Sequence, residues 1–221
     1  WEVVEPDNPW SHIGYWGDHQ VVYLLRLLEA TQARDPALLP LLWDRAVFSF
    51  ADVPYRIRDH AQRVATMAKA LYLAAAPVPD AAAAQRVEWA GLLHEIGYSV
   101  SHIGFHKHGA YILENADMPG FSAKEQRQLA LLVNGCRGGL SKIAEAIDDA
   151  DVVAQILALR LAVLFHHARR PIDKPRIVLR AGRAIGFGIA KRWLAAHPLT
   201  THLLGKERGE WTALGRPWRA V

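Results

Sequence analysis

Cysteine is almost absent from this sequence of 221 residues, in which Cys136 is the only one. A single thiol excludes an internal disulfide and favours a reducing, cytoplasmic location. Long apolar runs are also missing, since no stretch approaches the roughly 20 residues that a membrane-spanning helix needs. The chain begins at Trp1 without a signal-like segment. We therefore expect a protein that does not enter a membrane and that is part of a longer polypeptide.

Acidic residues are scarce in the last third of the chain. Residues 160–221 contain 13 Lys and Arg against 3 Asp and Glu, a net charge of +10 in a chain whose total is +4. Such a segment attracts polyanions, namely polyphosphate, nucleotides, nucleic acid or an anionic partner surface, although a solvated basic face is the simpler alternative. The overall composition, 51% hydrophobic and 22% charged, is that of an ordinary globular protein.

Three segments differ in their patterning, and we place them at residues 1–58, 59–170 and 171–221. In the first, apolar residues at helical spacing predict an amphipathic helix over residues 20–34. The second is helical throughout, and the third contains two short strand-like runs. The pattern predicts a mainly α fold, a helical bundle with a small α+β subdomain at its C-terminal end.

Local signals set the expected limits of these elements. The N-caps expected are Asp59, Asp80 and Ser122, the last forming a capping box with Glu125. The helix that Asp80 begins should run through His94 and Glu95 and stop at Gly97. The remaining predictions are a helix over residues 151–168, strands over 176–180 and 184–189, a helix over 197–211 and an edge strand over 217–219.

A histidine-rich region carries the most specific pattern. It comprises LLHEIG (residues 92–97), HKHGAYIL (106–113) and DMPGF (117–121), preceded by His60 and followed by Arg160-Leu161-Ala162-Val163. From about residue 60 onward, these runs resemble in kind and order the C-terminal domain of the Ppx/GppA family, the exopolyphosphatases and guanosine pentaphosphate phosphohydrolases. The resemblance implies an HD-like helical fold.

The resemblance also implies a division of labour. In this family the helical domain holds a polyanion and takes part in dimerisation, while a separate actin-like domain performs the hydrolysis. No glycine-rich loop of the kind that cradles phosphate in that domain occurs in this sequence. We therefore expect binding of polyphosphate or guanosine polyphosphate and a homodimer, but no hydrolysis by this chain alone. Mg²⁺ or Mn²⁺ is expected for the full-length family, and no cofactor for this chain.

HD-type phosphohydrolases hold a divalent metal with a histidine, a His-Asp pair and a distant aspartate. The resemblance places His60, His94 and Glu95 at the first three of these positions. Glu95 is one methylene longer than the aspartate it replaces. Val163 stands where the distant aspartate would be, and a valine cannot ligate a metal. Our hypothesis is a degenerate metal site.

Basic residues near the histidine-rich run are the candidates for phosphate contacts. Lys107 and its neighbouring imidazoles are expected at a loop–helix junction near Gly104, where exposed backbone N–H groups also favour anions. The alternatives are that some of these histidines only cap helices, or that together with His102 they ligate a metal. The predicted phosphate-binding residues are His106, Lys107, His108, Arg169, Arg170, Lys174 and Arg176.

Other functions stay open at this point. One is a self-sufficient HD-type metal phosphohydrolase acting on a guanosine polyphosphate, which Val163 disfavours. Another is a carbohydrate-binding or interaction fragment, because residues 8–20 and 50–57 resemble carbohydrate-active helical toroids and indicate a fusion near Arg58–His60. We do not expect nucleic-acid binding, since basic and aromatic residues do not alternate and no known reader motif is present.

Overall fold

A computed structural model describes residues 56–116, 118, 120–146, 148–173 and 175–220. The helix predicted over residues 20–34 and the first segment up to residue 55 lie outside the described residues. The helices are α1 Arg56–Ala75, α2 Ala81–Leu93, α3 Phe105–Asn115, α4 Ala123–Gly135, α5 Ala150–Phe165, α6 Lys191–Ala196 and α7 Pro198–Ala213, with 3₁₀-helices at Ile96–Ser99 and Leu140–Ala146. The strands are β1 Ile177–Arg180, β2 Ile185–Ile189 and β3 Trp218–Ala220.

The helical body is arranged around α5. Every residue from 153 to 162 of this helix is buried, and a helix that is buried on all sides belongs in the middle of a bundle. Helices α1 and α2 pack against it and against each other, while α3 packs on α4. The prediction of a mainly α fold is confirmed.

The small sheet has the order β1-β2-β3. Strands β1 and β2 are antiparallel, and β3 adds to β2 in the parallel direction. The backbone N–H of Ala181 donates to the carbonyl of Ala75 at 2.9 Å, which attaches the sheet to the end of α1. The two predicted strands and the predicted edge strand are therefore confirmed to within one residue at each end.

Two capping predictions are confirmed and one is wrong. Asp80 accepts a hydrogen bond from the backbone N–H of Ala83, and Ser122 forms the capping box with Glu125. Asp59, however, lies in the first turn of α1 and not at its N-cap, because the helix begins three residues earlier at Arg56. An aspartate is favourable at either position, since both expose it to unpaired N–H groups.

The helix that was predicted to include His94 and Glu95 ends before them. Helix α2 ends at Leu93, and a 3₁₀-helix that begins at Ile96 follows. The predicted helix over 151–168 likewise ends early, at Phe165. None of the described helices combines the length and the apolar character that crossing a bilayer requires.

Gly97 allows a very close contact between this 3₁₀-helix and α3. A Cβ at Gly97 would lie 1.9 Å from the carbonyl oxygen of Phe105 and 2.5 Å from the backbone nitrogen of Gly109. These distances lie well inside van der Waals contact, so any larger residue forces the two backbones apart. The glycine at the end of LLHEIG therefore fixes the distance between the two halves of the histidine-rich region.

We predict that Gly97→Ala lowers the free energy of unfolding by about 2–3 kcal/mol, the usual cost of overpacking a rigid backbone contact. Urea unfolding followed by tryptophan fluorescence measures this change. The matched control is Gly205→Ala within α7, where a Cβ meets no atom within 4 Å. That variant should gain up to about 1 kcal/mol from helix propensity. Equal effects of the two substitutions would contradict the close contact at Gly97.

Candidate functional site

His60, His94 and Glu95 meet in one buried pocket. His60 comes from the second turn of α1, while His94 and Glu95 follow directly after α2. All three side chains are buried, and one ligand atom from each lies within 4.8 Å of the others. The packing of α1 against α2 thus brings together residues that are 34 positions apart in the sequence.

The hydrogen bonds of this pocket orient His94. Its Nδ1 lies 2.7 Å from the carbonyl oxygen of Gly91, which can only accept, so Nδ1 carries the proton. The neutral ring then turns the lone pair of Nε2 towards Oε1 of Glu95, 3.8 Å away. Nε2 of His60 lies 3.8 Å from the same oxygen. Neither distance is a hydrogen bond. The buried Glu95 carboxylate therefore gains no hydrogen bond from either imidazole, and its negative charge is left for a nearby cation to balance.

Arg169 supplies that cation. Its Nη2 donates to Oε1 of Glu95, the same oxygen that faces the two imidazoles. The backbone of Arg169 is left-handed, with φ 56°, which is unfavourable for a non-glycine residue. Arg63 from α1 donates to the carbonyl of Arg169 at 3.0 Å and holds this turn in place. The guanidinium is therefore directed into the pocket by a specific backbone conformation.

This arrangement does not fit a divalent metal as it stands. The oxygen best placed to join the two imidazoles in coordination already accepts from a guanidinium. Val163 is half-buried on α5 and offers no donor atom. His166 is the next imidazole in this region, with its ring centroid 6.5 Å from that of His60. Its Nδ1 lies 2.9 Å from the carbonyl oxygen of Ala162, so this nitrogen faces the backbone and not the three ligands.

Burial keeps the histidines of this pocket neutral. Desolvation, reinforced by His94 and Arg169, lowers the pKa of His60 from its ordinary 6.5 to about 3. Burial also lowers the pKa of His94, against the attraction of the Glu95 carboxylate. At neutral pH the pocket therefore contains two neutral imidazoles, and Arg169 contributes the positive charge.

A second group of residues forms a basic cluster, which we define as His106, Lys107, Arg137 and Lys142. Helix α3 begins after Gly104 and carries His106 and Lys107 in its first turn. Arg137 follows the end of α4, and Lys142 lies in the 3₁₀-helix Leu140–Ala146. The packing of α3 on α4 brings these two parts of the chain together.

Gly138 lies at the centre of the basic cluster. It has a left-handed backbone, with φ 77°, and a Cβ there would lie 3.5 Å from both Nε2 of His106 and Nζ of Lys142. Lys142 donates to the carbonyl of Arg137 at 2.6 Å, and the guanidinium of Arg137 lies over the ring of Phe105. The imidazole of His106 and the ammonium of Lys142 thus both lie beside Gly138, and N–H groups of this kind are the donors that bind anions.

Desolvation and mutual repulsion act on the members of the basic cluster. Burial, together with Arg160 and Lys107, lowers the pKa of Lys142 from 10.5 to about 8, against the opposing effects of Cys136 and Glu210. Burial, together with Lys142 and Lys107, lowers the pKa of His106 to about 4. An anion bound among these groups would relieve the repulsion, so the cluster is electrostatically prepared for one.

The other predicted phosphate-binding residues lie either apart from this cluster or outside the described residues. His108 is half-buried further along α3, and Arg170 and Arg176 are exposed. Arg169 is directed into the histidine pocket, and Lys174 lies outside the described residues. The structure therefore brings together only His106 and Lys107 from that set, and their contact with phosphate stays a prediction.

Sequence reasoning missed Arg63, Arg137 and Lys142. Arg137 precedes Gly138 and Gly139 at the end of a helix, and this basic Gly-Gly turn was a signal that could have been used. Arg63 carried no such signal, since its role depends on the turn after α5, 106 residues away.

Comparison with known proteins gives one matching family and several relatives. Residues 50–208 match the family model for the Ppx/GppA phosphatase, domain III. A guanosine-5'-triphosphate,3'-diphosphate pyrophosphatase of Vibrio parahaemolyticus is 34% identical over 134 residues, 59% of this chain and 27% of that protein. Another of the same name, from Vibrio atlanticus, is 31% identical over 165 residues, 72% of this chain and 33% of that protein. The chain thus spans about a third or less of the length of these relatives.

The neutral histidines predict sensitivity to acid. The folded pKa values of His60 and His106 are about 3 and about 4, against an ordinary value of 6.5 for both. Below pH 6.5 the unfolded chain therefore binds more protons than the folded chain, and stability is lost as the pH falls. We expect the free energy of unfolding, measured with urea, to decrease steadily between pH 7 and pH 5.

His106→Gln should make this decrease shallower, because it removes one group that protonates only on unfolding. The matched control is His202→Gln, at an exposed position on α7, which should leave the slope unchanged. Identical slopes for the two variants would show that His106 is not held neutral in the folded protein.

Proposed function

Because the chain belongs to the Ppx/GppA phosphatase family, in which it matches domain III, we propose that it is the polyanion-holding part of a phosphoanhydride hydrolase. Its ligand is polyphosphate or a guanosine polyphosphate such as the guanosine 5'-triphosphate 3'-diphosphate after which the relatives are named. Hydrolysis is performed by a separate actin-like domain, and the holding domain keeps the phosphate chain bound while that domain acts.

The observation that carries this proposal is the basic cluster. Gly138 lies beside the neutral His106 and the cation Lys142, and two further cations, Lys107 and Arg137, act electrostatically on His106. A phosphate group bound beside His106 and Lys142 would accept hydrogen bonds from both, and charge-assisted hydrogen bonds are the strong ones. The neutral His106 contributes a donor through Nε2 if its buried Nδ1, which has no partner, carries the lone pair.

The wider distribution of charge supports the same ligand. The net charge of +10 over residues 160–221 provides a long-range field for a polyanion, and Arg170 and Arg176 are exposed within that segment. Such a field accelerates association, whereas the basic cluster supplies the close contacts. Arg170, Arg176, His108 and Lys174 are therefore proposed as secondary contacts along an extended phosphate chain.

A metal-dependent phosphohydrolase is less well supported. The pocket of His60, His94 and Glu95 has the donor types for a metal, but Arg169 occupies the carboxylate that would complete it. A carbohydrate-binding function would depend on residues 1–58, and no described residue supports it. The proposal therefore rests on anion binding without hydrolysis by this chain.

Binding of fluorescein-labelled polyphosphate, followed by anisotropy at pH 7 over a range of NaCl concentrations, tests the proposal. We expect the logarithm of the association constant to fall linearly with the logarithm of salt. Lys142→Gln should weaken binding about tenfold and reduce the slope by about 0.7, the value for one lost phosphate contact on a single strand. Wild-type affinity should also fall between pH 7 and pH 9, as Lys142 loses its proton near pH 8.

Lys124→Gln is the matched control, since it changes the net charge equally at the opposite end of α4 from Arg137. It should leave affinity and slope nearly unchanged. Lys142→Arg should retain binding at pH 9, because a guanidinium stays charged there. Equal losses from Lys124→Gln and Lys142→Gln would reject the basic cluster as the site. Release of phosphate that EDTA abolishes would instead favour the metal-dependent alternative.

We also propose that the chain forms a homodimer. Val100, Ile103 and Tyr111 are 56%, 87% and 69% exposed; the first two lie just before α3 and Tyr111 lies in its second half. Three large apolar side chains exposed within twelve residues favour association of the surface that carries them. This face is the one from which we expect the two copies to associate.

Sedimentation velocity at about 50 μM should therefore give a dimer, and Ile103→Glu should shift it towards monomer by placing a charge in the apolar contact. The control is Val78→Glu between α1 and α2, a valine that is 81% exposed. Monomeric wild-type protein at this concentration, or equal dissociation of both variants, would contradict a dimer through this face.

A further inference from the structure

We propose that Arg169 is a built-in cation that closes a divalent transition-metal site formed by His60, His94 and Glu95. The pocket would then bind Zn²⁺ or Co²⁺ once this one guanidinium is removed. This inference is independent of the proposed polyanion binding, which uses a different group of residues.

The donor set is that of a transition-metal site. Two imidazoles and a carboxylate are common ligands for Zn²⁺ and Co²⁺, at bond lengths of about 2.0–2.2 Å. Donors at such distances from one ion lie roughly 3–4 Å apart. Oε1 of Glu95 is 3.8 Å from Nε2 of His60 and 3.8 Å from Nε2 of His94. Only a small adjustment would let all three reach one ion.

The surroundings of the ligands support the same conclusion. Nδ1 of His94 donates to the carbonyl of Gly91, the kind of contact that orients metal-binding imidazoles and fixes their tautomer. Oε2 of Glu95 and Nδ1 of His60 are buried without a hydrogen-bond partner. Buried polar atoms are rarely left unpaired, so the carboxylate has a coordination capacity that Arg169 does not use fully.

Arg169 is placed where an ion would otherwise bind. Its guanidinium accounts for the positive charge that the pocket requires, and a second cation beside it would be strongly repelled. The left-handed backbone of Arg169 is held by its own N–H, which donates to His166 at 2.8 Å, and by Arg63. The Arg169 side chain is 40% exposed, so it lies between the buried ligands and solvent. Such a strained residue over a donor set indicates a defined role.

Titration of the untagged 221-residue protein with Co²⁺, followed by visible absorbance and calorimetry, tests the proposal. Arg169→Gly removes the guanidinium and suits the left-handed backbone. It should bind one Co²⁺ per chain at least about 100-fold more tightly than the wild type, given the charge removed beside the ion. Zn²⁺ should displace the Co²⁺. The double variant Arg169→Gly/His94→Ala should lose this binding, and Arg170→Gly should behave like the wild type.

Circular dichroism establishes whether each variant is folded. If Arg169→Gly is not folded, Arg169→Asn replaces it, because asparagine also tolerates a left-handed backbone. Wild-type protein that binds Co²⁺ within threefold of the variant would overturn the proposal, because Arg169 would then exclude nothing. Folded Arg169→Gly and Arg169→Asn proteins without bound Co²⁺ would overturn it as well. Neither Arg169→Gly nor Arg169→Asn should change polyphosphate binding, because that binding is assigned to the basic cluster. The two tests can therefore fail independently of each other.

Discussion

The described structure depends on the buried guanidinium of Arg160 in the central helix α5. Its Nε and Nη2 donate to Glu207 of α7 at 2.5 and 2.7 Å, and its Nη1 donates to the carbonyls of Gly135 and Gly138 at 2.8 and 3.0 Å. A buried charge that loses its partner costs about 3–5 kcal/mol, so these elements are held in one arrangement. Through Gly138, the same guanidinium fixes the turn around which the basic cluster forms. The core and the candidate anion site therefore share one interaction.

A second guanidinium organises the other site. Arg160 holds the Gly138 turn beside His106 and Lys142, whereas Arg169 donates to the carboxylate oxygen that faces two imidazoles. Both depend on the end of a helix: the turn after α4 for the first and the turn after α5 for the second. One domain thus contains a basic cluster, proposed above as the phosphate site, and a buried group of residues with metal-ligand chemistry.

Much of the local structure could be predicted because its causes are local. Asp80 and Ser122 accept hydrogen bonds from N–H groups three residues away, and the two strands follow from short apolar runs between turns. The predicted ends of the helices were wrong where tertiary packing determines them. Helix α2 stops at Leu93 because the chain must turn so that Gly97 can contact α3, and periodicity contains no information about that contact. For the same reason the positions of His60, His94 and Glu95 were expected from a family resemblance and not from spacing.

By itself, the sequence determined the mainly α fold, the order of the elements, the family and the residue types available for chemistry. Composition, capping and apolar periodicity act within a few residues and are therefore written directly in the chain. Only the tertiary structure decided that Arg169 pairs with Glu95, and that Arg137 and Lys142 join His106 and Lys107. These pairings connect residues up to 74 positions apart. They depend on how α5 is buried among its neighbours, because the free energy of burial fixes which helix ends meet.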